Sequence, residues 1–385
     1  QDYINEARFL RAYCYSQLID MFGSVPLATK VSAVLPDQAT RAELFSFIES
    51  ELLDLANVLP AAGVSEYGHV DRVAASALLT RLYLNAEVYT GQPKYGDVIS
   101  HAENVFASSY SINTNDGNNN GSAYDELFLA DNNTNGAQNE FIFALMYDGI
   151  NTQAWGGATF LVHAPIGGTM NPDDFGVNGG WGGLRTTKGL VEKFDYAATQ
   201  YDGDGHPIAW SDARAMFHTD GQTYETEKMS TFKSGYAVRK FKNVDVNGNP
   251  GSDSSGDHPD MDVPIIRLAE VYLNYAEAVT RGGGGSMDTA TQLINELRSR
   301  AGASAISPAQ LNTDMVMDER SRELYWEGLR RPDLIRSNKF VSNMYVWPFK
   351  GGAANGTGVS DHLKLFPIPE DVLLVNPNIK QNPNY

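Results

Sequence analysis

The chain has 385 residues, of which 42% are hydrophobic, so it can bury a substantial core. Its formal net charge of −18 makes nucleic acid and anionic membrane surfaces poor partners. A single cysteine, Cys14, excludes an intrachain disulfide framework and a cysteine-based zinc site.

The first part of the chain, residues 1–108, has the pattern of a helical bundle. In "EARFLRAYCYSQLIDMF" apolar residues recur at steps of three and four, which predicts one buried helix face made of Ala7, Leu10, Cys14, Leu18 and Met21. A second helix is predicted in "RAELFSFIESELLDLANVL", and Asp71 is placed to cap a third. A fourth helix is predicted around residues 97–107.

Residues 109–262 form an irregular middle region, rich in Gly, Asn, Asp and aromatic residues. Two short pieces, "EFIFALMY" and "AVRKFKN", have the composition of strands. Long ordered loops usually carry function, so we expect the ligand-binding part of the molecule in this region.

Residues 263–385 return to a helical pattern, followed by a C-terminal tail. The run "RGGGGS" separates two matched apolar stripes, which predicts an antiparallel helical hairpin. Such hairpins are similar to tetratricopeptide repeats (TPRs), although the chain has no constant repeat length. The predicted fold is therefore mainly α: a single domain, 1–385, built as a TPR-type helical-hairpin scaffold with a loop-rich, partly β insertion.

Three stretches together resemble the SusD/RagB family of Bacteroidota outer-membrane nutrient-binding lipoproteins. They are "EARFLRAYCYSQLIDMFGSVPL", the stretch from "PIIRLAEVYLNYAEAV" to "RSRELYWEGLRRPDLIR", and the tail "LFPIPEDVLLVNPNIKQNPNY". The resemblance implies a lipid-anchored protein of the bacterial outer membrane and cell surface. It implies that the protein captures oligosaccharides for a SusC-type TonB-dependent transporter and is not an enzyme. Members normally carry a lipidated N-terminal segment ahead of the "FLRAY" helix, so we expect that an N-terminal segment is missing here.

Motifs for catalysis are largely absent, since the sequence has no HExxH, no G-x-S-x-G and no P-loop. The loop "DVNGNPGSDSSGD" begins like a calcium loop, but Pro250 and Gly256 stand where an EF-hand needs glycine and glutamate. Turn formation explains such loops better than metal binding does, so no cofactor is predicted. If calcium does bind, we expect it near Asp257, Asp260 and Asp262.

A pyranose sugar presents a C–H face that packs on aromatic rings, and its hydroxyl groups need amide, carboxylate or guanidinium partners. The middle region has this combination twice, around Trp155 in "YDGINTQAWGG" and around Trp181 in "NPDDFGVNGGWGGLR". Trp326 and Trp347 are assigned to packing. The predicted ligand-binding residues are Trp155, Trp181, Asn178, Asp173, Arg185 and Tyr67.

We therefore expect non-catalytic capture of an oligosaccharide or polysaccharide. The acidic charge favours a neutral glycan, and a β-glucan is the guess within that class. Two alternatives remain open from the sequence. One is a peptide-binding member of the same family, since loop aromatics suit both ligands. The other is a TPR-like protein-interaction scaffold without a small ligand, which predicts that the aromatics of the middle region are buried.

The stretch "RSRELYWEGLRRPDLIR", residues 320–336, concentrates charge next to aromatic residues. Glu319, Glu323 and Glu327 recur every fourth residue and would share one helix face. Arg320 and Arg331 are spaced to pair with them. We interpret this charge as structural, because guanidinium groups that stack on aromatics and pair with carboxylates can order a helix junction.

Overall fold

A computed structural model describes residues 1–385, and α-helices form its main framework. None of them is both long and apolar enough to span a bilayer. The helices are α1 Asp2–Met21, α2 Arg41–Val58, α3 Arg72–Leu84, α4 Ala86–Thr90, α5 Tyr95–Phe106, α6 Ala158–His163, α7 Lys188–Val191, α8 Leu268–Thr280, α9 Met287–Arg300, α10 Thr313–Leu324, α11 Arg330–Arg336 and α12 Glu370–Val375.

Short strands form four separate antiparallel pairs. They are β1 Val25–Pro26 with β2 Gln38–Ala39, β3 Phe141–Leu145 with β8 Val263–Arg267, β4 Ala198–Tyr201 with β5 Pro207–Trp210, and β6 Phe217–His218 with β7 Ala237–Val238. In the second pair Phe141 lies opposite Arg267, and Leu145 lies opposite Val263. This ladder brings the two ends of the 146–262 segment together, so the segment is an excursion anchored on the helical scaffold.

Helices α1, α2, α3, α5, α8 and α9 share one apolar core. Helix α3 lies at its centre, because it packs against α2, α5 and α8 and is buried on nearly every side. As predicted, Asp71 caps this helix: its carboxylate accepts the N–H groups of Val73 at 2.8 Å and Ala74 at 2.9 Å.

The predicted hairpin around "RGGGGS" is formed by α8 and α9. Gly282, Gly284 and Gly285 all have φ between 74° and 85° at the turn, a backbone conformation that favours glycine. A Cβ on Gly283 would lie 2.7 Å from backbone atoms of Tyr95. The glycine run is therefore required by the turn and by its contact with α5.

The prediction of which face of α1 is buried is wrong. Leu10 and Cys14 are exposed, and the buried face is instead formed by Asn5, Phe9, Ala12, Tyr15, Ser16 and Ile19. Both faces have helical spacing, but the buried one carries the larger rings. Phe9 packs edge-on against Phe143 of β3 at 5.3 Å between ring centroids, a contact that the local sequence does not reveal.

The charged stretch at 320–336 is structural, as interpreted, but its ion pairs differ from the prediction. Glu319 and Glu323 are fully buried, and α10 ends before Glu327. Most of the cationic partners of these glutamates lie outside the stretch, and these are Arg214, Lys240, Arg267, Arg298 and Arg300.

Of the arginines in the stretch itself, Arg322 pairs with Glu319 at 2.8 Å, whereas Arg320 and Arg331 have other partners. Arg320 pairs with Asp333 at 2.9 Å, and Arg331 stacks between Phe340 and Phe366 at 5.3 and 4.4 Å. Spacing shows which charges share a helix face, but it does not show which distant segment meets them. We call the assembly around Glu319, Glu323 and Glu327 the buried ionic network.

Candidate functional site

Three exposed aromatic rings of the middle region lie next to one another. The ring centroids of Trp155 and Trp181 are 6.5 Å apart and their planes are inclined by 44°. The ring centroid of Phe160 lies 6.1 Å from that of Trp181. The exposed fractions are 60% for Trp155, 45% for Trp181 and 43% for Phe160, so solvent reaches all three. We call these residues the aromatic platform.

Trp181 is held in place by a buried histidine at the end of α6. The ring of His163 stacks on the indole at 5.3 Å with an angle of 18°. The Trp181 N–H donates to the His163 carbonyl at 2.9 Å. The two ring nitrogens of His163 lie 2.7 Å from the Gly179 carbonyl and 3.0 Å from the Asp257 carbonyl. His163 therefore ties two loops together beneath the platform.

Trp155 is carried by a tight loop built around Asp148. The Asp148 carboxylate accepts the backbone N–H groups of Ile150 at 2.7 Å and Asn151 at 3.0 Å, and the Asn151 amide at 2.7 Å. The Asn151 amide, together with the backbone donors, lowers the pKa of Asp148, which keeps this acceptor ionised. The indole of Trp155 rests against the ring of His258 at 4.9 Å.

Asn178 is an exposed polar group on the loop that leads into Trp181. Its amide nitrogen donates to the Ser255 carbonyl at 2.8 Å and to the Asp257 carboxylate at 2.6 Å. Its side-chain oxygen has no hydrogen-bond partner in the protein, so it is open to a ligand hydroxyl group. The structure thus brings together three of the predicted residues. Trp181 and Asn178 lie on a loop tied to His163 and Asp257, and Trp155 packs on the adjacent His258.

The other three predicted residues have different surroundings. Asp173 is exposed, and its carboxylate makes no hydrogen bond within the protein. Arg185 donates to three backbone carbonyls, those of Gly183 at 2.7 Å, Met229 at 2.8 Å and Ser234 at 3.1 Å. Its guanidinium is therefore engaged in holding two loops together, and its role in ligand binding stays a prediction.

Tyr67 is half-buried and lines a separate cavity of about 210 Å³. Its hydroxyl donates to the buried Asp262 carboxylate at 2.8 Å, and the other oxygen of Asp262 accepts the Tyr147 N–H at 2.7 Å. These contacts give Tyr67 a structural partner, and ligand binding by this residue also stays a prediction.

The aspartates proposed from the sequence for calcium do not converge. Asp257 accepts from Asn178, Asp260 accepts from Ser252, and Asp262 accepts from Tyr67. A different set brings three candidate ligand atoms within 4.8 Å of one another: Asp202, Asp204 and His206. That set lies in the exposed β4–β5 turn, where Asp202 already accepts the His206 N–H at 2.8 Å.

The sequence missed Phe160, His163 and His258. Helix α6 reads "ATFLVH", which is indistinguishable from a short core helix, and the structure exposes its Phe160 while burying His163. No spacing signal marks the two histidines, because they act through contacts with loops far along the chain.

A separate cavity of about 380 Å³ lies between residues 186–193 and 320–347. Trp326 and Trp347, both half-buried, line it as packing residues. Its Arg330 donates to the Tyr345 hydroxyl at 2.6 Å, and its Arg320 is paired with Asp333. The open aromatic platform, in contrast, leaves its rings uncovered, which suits a ligand longer than one cavity.

Two family models match this chain. The SusD family model matches residues 218–385, and a model described as "Starch-binding associating with outer membrane" matches residues 2–84. The starch-binding protein SusD of Bacteroides thetaiotaomicron is 34% identical over 415 residues, covering 99% of this chain and 72% of that protein. SusD-like protein P25 of Formosa agariphila is 24% identical, covering 98% and 71%.

Solved structures confirm the mainly helical fold. A SusD-like protein of Bacteroides fragilis matches with a TM-score of 0.72 at 22% identity, covering 99% of this chain and 79% of that chain. Surface glycan-binding protein A of Bacteroides thetaiotaomicron, solved with laminarihexaose, matches with a TM-score of 0.71 at 24% identity, covering 100% and 78%. The family resemblance, the outer-membrane location and the absence of an enzymatic role are confirmed by these relatives. This chain belongs to the SusD family.

Proposed function

We propose that this protein captures a neutral oligosaccharide or polysaccharide at the cell surface by stacking sugar rings on the aromatic platform. The observation that carries the proposal is the exposure of Trp155, Phe160 and Trp181 side by side. Large aromatic rings are costly to leave in water unless a ligand covers them. The C–H face of a pyranose is such a ligand, and the Asn178 oxygen offers a hydrogen-bond acceptor nearby.

The arrangement of the rings also bears on ligand shape. Because the two indole planes are inclined by 44°, the platform is bent, and a rigid flat aromatic ligand cannot lie on both at once. Successive sugars of a glycan are joined by rotatable bonds and can follow such a surface. The same exposure argues against the scaffold alternative, which required the middle-region aromatics to be buried.

Within the neutral glycans we propose a glucan. The relative with 34% identity is named for starch binding, and one structural neighbour was solved with laminarihexaose. The net charge of −18 disfavours acidic polymers, which a local basic patch would have to attract. The β-glucan guess and a starch-type α-glucan therefore both belong in the test. Affinity is expected to be roughly micromolar or weaker, because desolvation of polar groups offsets much of the gain.

Transfer of the captured glycan to a SusC-type TonB-dependent transporter is the second part of the proposal. It rests on the family, whose model describes an association with the outer membrane. The expected result is that the lipidated full-length protein copurifies from outer membranes with a TonB-dependent transporter. Recovery of the protein without any such transporter would contradict this part alone.

Binding is tested by affinity electrophoresis in gels that contain laminarin, amylopectin or no polysaccharide, with calorimetry for the retained glycan. Trp155→Ala and Trp181→Ala should each weaken binding roughly tenfold or more, because each removes one stacking surface. Tyr201→Ala is the matched control, since Tyr201 is 57% exposed but lies on β4. Unchanged retention of both tryptophan variants would refute the site. Binding of a peptide mixture but of no glycan would favour the peptide-binding alternative.

A further inference from the structure

The cavity of about 380 Å³ that is lined by Trp326 and Trp347 shares no residue with the aromatic platform. We call it the indole cavity. Leucine side chains, among them Leu190 and Leu324, complete its apolar wall. Val346 at its edge is exposed, so the cavity opens to solvent there. Its volume exceeds the roughly 150 Å³ that encloses benzene and falls in the range of small-molecule pockets.

The wall that carries Trp347 is fixed by a buried lysine. The Nζ atom of Lys350 donates to the carbonyls of Lys339 at 3.3 Å, Ser342 at 2.5 Å and Tyr345 at 2.6 Å. All three ammonium protons therefore have an acceptor, and the loop is closed on itself. The ring centroids of Trp347 and Tyr345 lie 6.2 Å apart. The chain thus forms this side of the indole cavity without help from another molecule.

The opposite wall holds Trp326 in an unfavourable backbone conformation. Its φ is 64°, a region that residues other than glycine rarely adopt. The neighbouring residues enforce this angle, because Lys240 donates to the Tyr325 carbonyl and to the Glu327 carboxylate, each at 2.7 Å. Backbone strain of this kind concentrates at binding sites, where the surrounding structure maintains it.

The charges around the indole cavity differ in sign from those of the whole chain. Four cations and two acids line the cavity, whereas the chain has a net charge of −18. Three of the cations already have a carboxylate nearby: Lys193 has Asp318, Arg320 has Asp333 and Arg331 has Asp20. The fourth, Arg330, forms no ion pair and is the cation available to an anionic ligand.

The guanidinium of Arg330 is only partly occupied by the protein. It donates to the Met317 carbonyl at 3.1 Å and to the Tyr345 hydroxyl at 2.6 Å, which uses two of its five N–H groups. Its Nε–H has no acceptor in the protein and is not buried. Lys193 adds positive charge at the same end, since its ammonium lies 5.5 Å from the centroid of the Tyr345 ring.

We propose that the indole cavity binds a small aromatic acid, a molecule with one or two fused aromatic rings and a single carboxylate. The rings pack against Trp326, Trp347 and the leucines. The carboxylate accepts the free N–H groups of Arg330, because a guanidinium pairs with a carboxylate through two parallel N–H groups. A neutral sugar suits the cavity less well, since many of its hydroxyl groups would face leucine and tryptophan side chains.

Three probes with one ring system and different charges test the proposal. They are indole-3-acetate, its neutral analogue indole-3-ethanol and its cationic analogue tryptamine. Saturation-transfer NMR detects their contact with the protein, and calorimetry gives the Kd. Indole-3-acetate should bind with a Kd of about 10⁻⁵–10⁻³ M, as expected for a ligand of this size. Indole-3-ethanol should bind roughly tenfold more weakly, and tryptamine more weakly still, because neither brings a negative charge to Arg330.

Two variants separate the volume of the indole cavity from its charge. Gly189→Leu fills the cavity, since a Cβ there would already lie 3.4 Å from the Cβ of Trp347, and it should weaken binding of all three probes. Gly203→Leu is its control, because a Cβ there would meet nothing within 4 Å. Arg330→Gln should make indole-3-acetate and indole-3-ethanol bind alike, whereas Arg72→Gln, outside the cavity, should preserve their difference.

Circular dichroism and Tm values check that each variant folds. If Gly189→Leu does not fold, Gly189→Ala replaces it; alanine favours a helix more than glycine does, and its methyl group should weaken binding in the same direction. Absence of indole-3-acetate binding to wild type at millimolar concentration would overturn the proposal. Equal affinity of wild type for the three probes would also overturn it.

The aromatic platform offers the probes another surface, and Trp155→Ala tests it. Binding that is lost in Trp155→Ala but retained in Gly189→Leu would place the probe on the platform and overturn the proposal. Binding that is retained in Trp155→Ala and lost in Gly189→Leu supports the indole cavity. Glycan retention is measured on other gels, so a failure of this proposal leaves the proposed glycan capture standing.

Discussion

The hydroxyl group of Tyr147 lies directly against the α carbon of Gly157, so that a Cβ at position 157 would overlap its oxygen. Gly157 also has a φ of 57°, a backbone angle that residues other than glycine rarely adopt. It is the residue that follows the Trp155 loop and precedes α6, which carries Phe160. The placement of Trp155 and Phe160 therefore depends on the absence of a side chain at position 157.

Gly157→Ala should weaken glycan binding as much as loss of an indole ring does, because the loop must shift to clear Tyr147. The neighbouring Gly156→Ala is the control, since its Cβ would meet nothing within 4 Å and its φ is not positive. Affinity gels and Tm values are measured for both variants. Equal binding by the two variants would show that the loop position does not govern the site.

Tyr67→Phe should destabilise the protein by about 1–3 kcal/mol, since the buried Asp262 carboxylate loses a hydrogen-bond donor. Burial raises the pKa of Tyr67, and the Asp262 carboxylate raises it further, so the phenol stays protonated and remains a donor. Urea unfolding gives the free-energy change, and Tyr201→Phe on the exposed surface should change it little. Weaker glycan binding with unchanged stability would instead place Tyr67 in the ligand site.

Glu323→Gln should lower the free energy of unfolding by about 3–5 kcal/mol, the range seen when one partner of a buried ion pair is removed. Glu323 faces Arg214, Arg267 and Arg300, so its loss leaves excess buried positive charge. Asp318→Asn on the same helix is the control: Asp318 pairs with Lys193 near the surface, where such pairs contribute about 1 kcal/mol or less. Similar losses in the two variants would contradict a special role for the buried ionic network.

The buried ionic network also predicts how stability depends on pH. Burial opposes ionisation of Glu319, but the guanidinium groups of Arg214, Arg322 and Arg298 outweigh it and lower its pKa from 4.5 to about 2. A carboxylate whose pKa is lower in the folded state contributes its full stability above the unfolded value of 4.5. That contribution is lost as the pH falls from about 4.5 to about 2.

The measurement is the urea midpoint of wild type and Glu319→Gln at a series of pH values from neutral to strongly acidic. Wild type should lose stability steeply in the window below the ordinary glutamate pKa. Glu319→Gln should be less stable at neutral pH and should show a shallower loss on acidification. Parallel pH profiles for the two proteins would contradict the assignment of the acid sensitivity to Glu319.

Much of the helical architecture could be predicted from the sequence, because the signals for helices lie in residues close together in the chain. The cap at Asp71 and the turn at Gly282–Gly285 depend on a few neighbouring residues, and both were correct. The buried face of α1 was wrong because two apolar stripes had helical spacing, and only the packing partner decides between them. Phe143, against which the Phe9 face packs, lies far along the chain.

The candidate site likewise has a part that could be predicted from the sequence and a part that could not. Trp155 and Trp181 stand out in composition, since each is surrounded by glycines and amides in a loop. Their adjacency depends on His163, which stacks on Trp181, and on His258, which packs against Trp155, and the sequence does not show these contacts.

The buried ionic network imposes an order on biosynthesis. Glu140 is followed by a long stretch of chain before Arg267 and Arg300, the two cations that neutralise it, have been made. A carboxylate without its cations resists transfer into an apolar interior. The middle region can therefore close over Glu140 only after the chain has emerged as far as Arg300, the last residue of α9. A chain interrupted before Arg300 would remain open and accessible to proteases, however well its first helices had already formed.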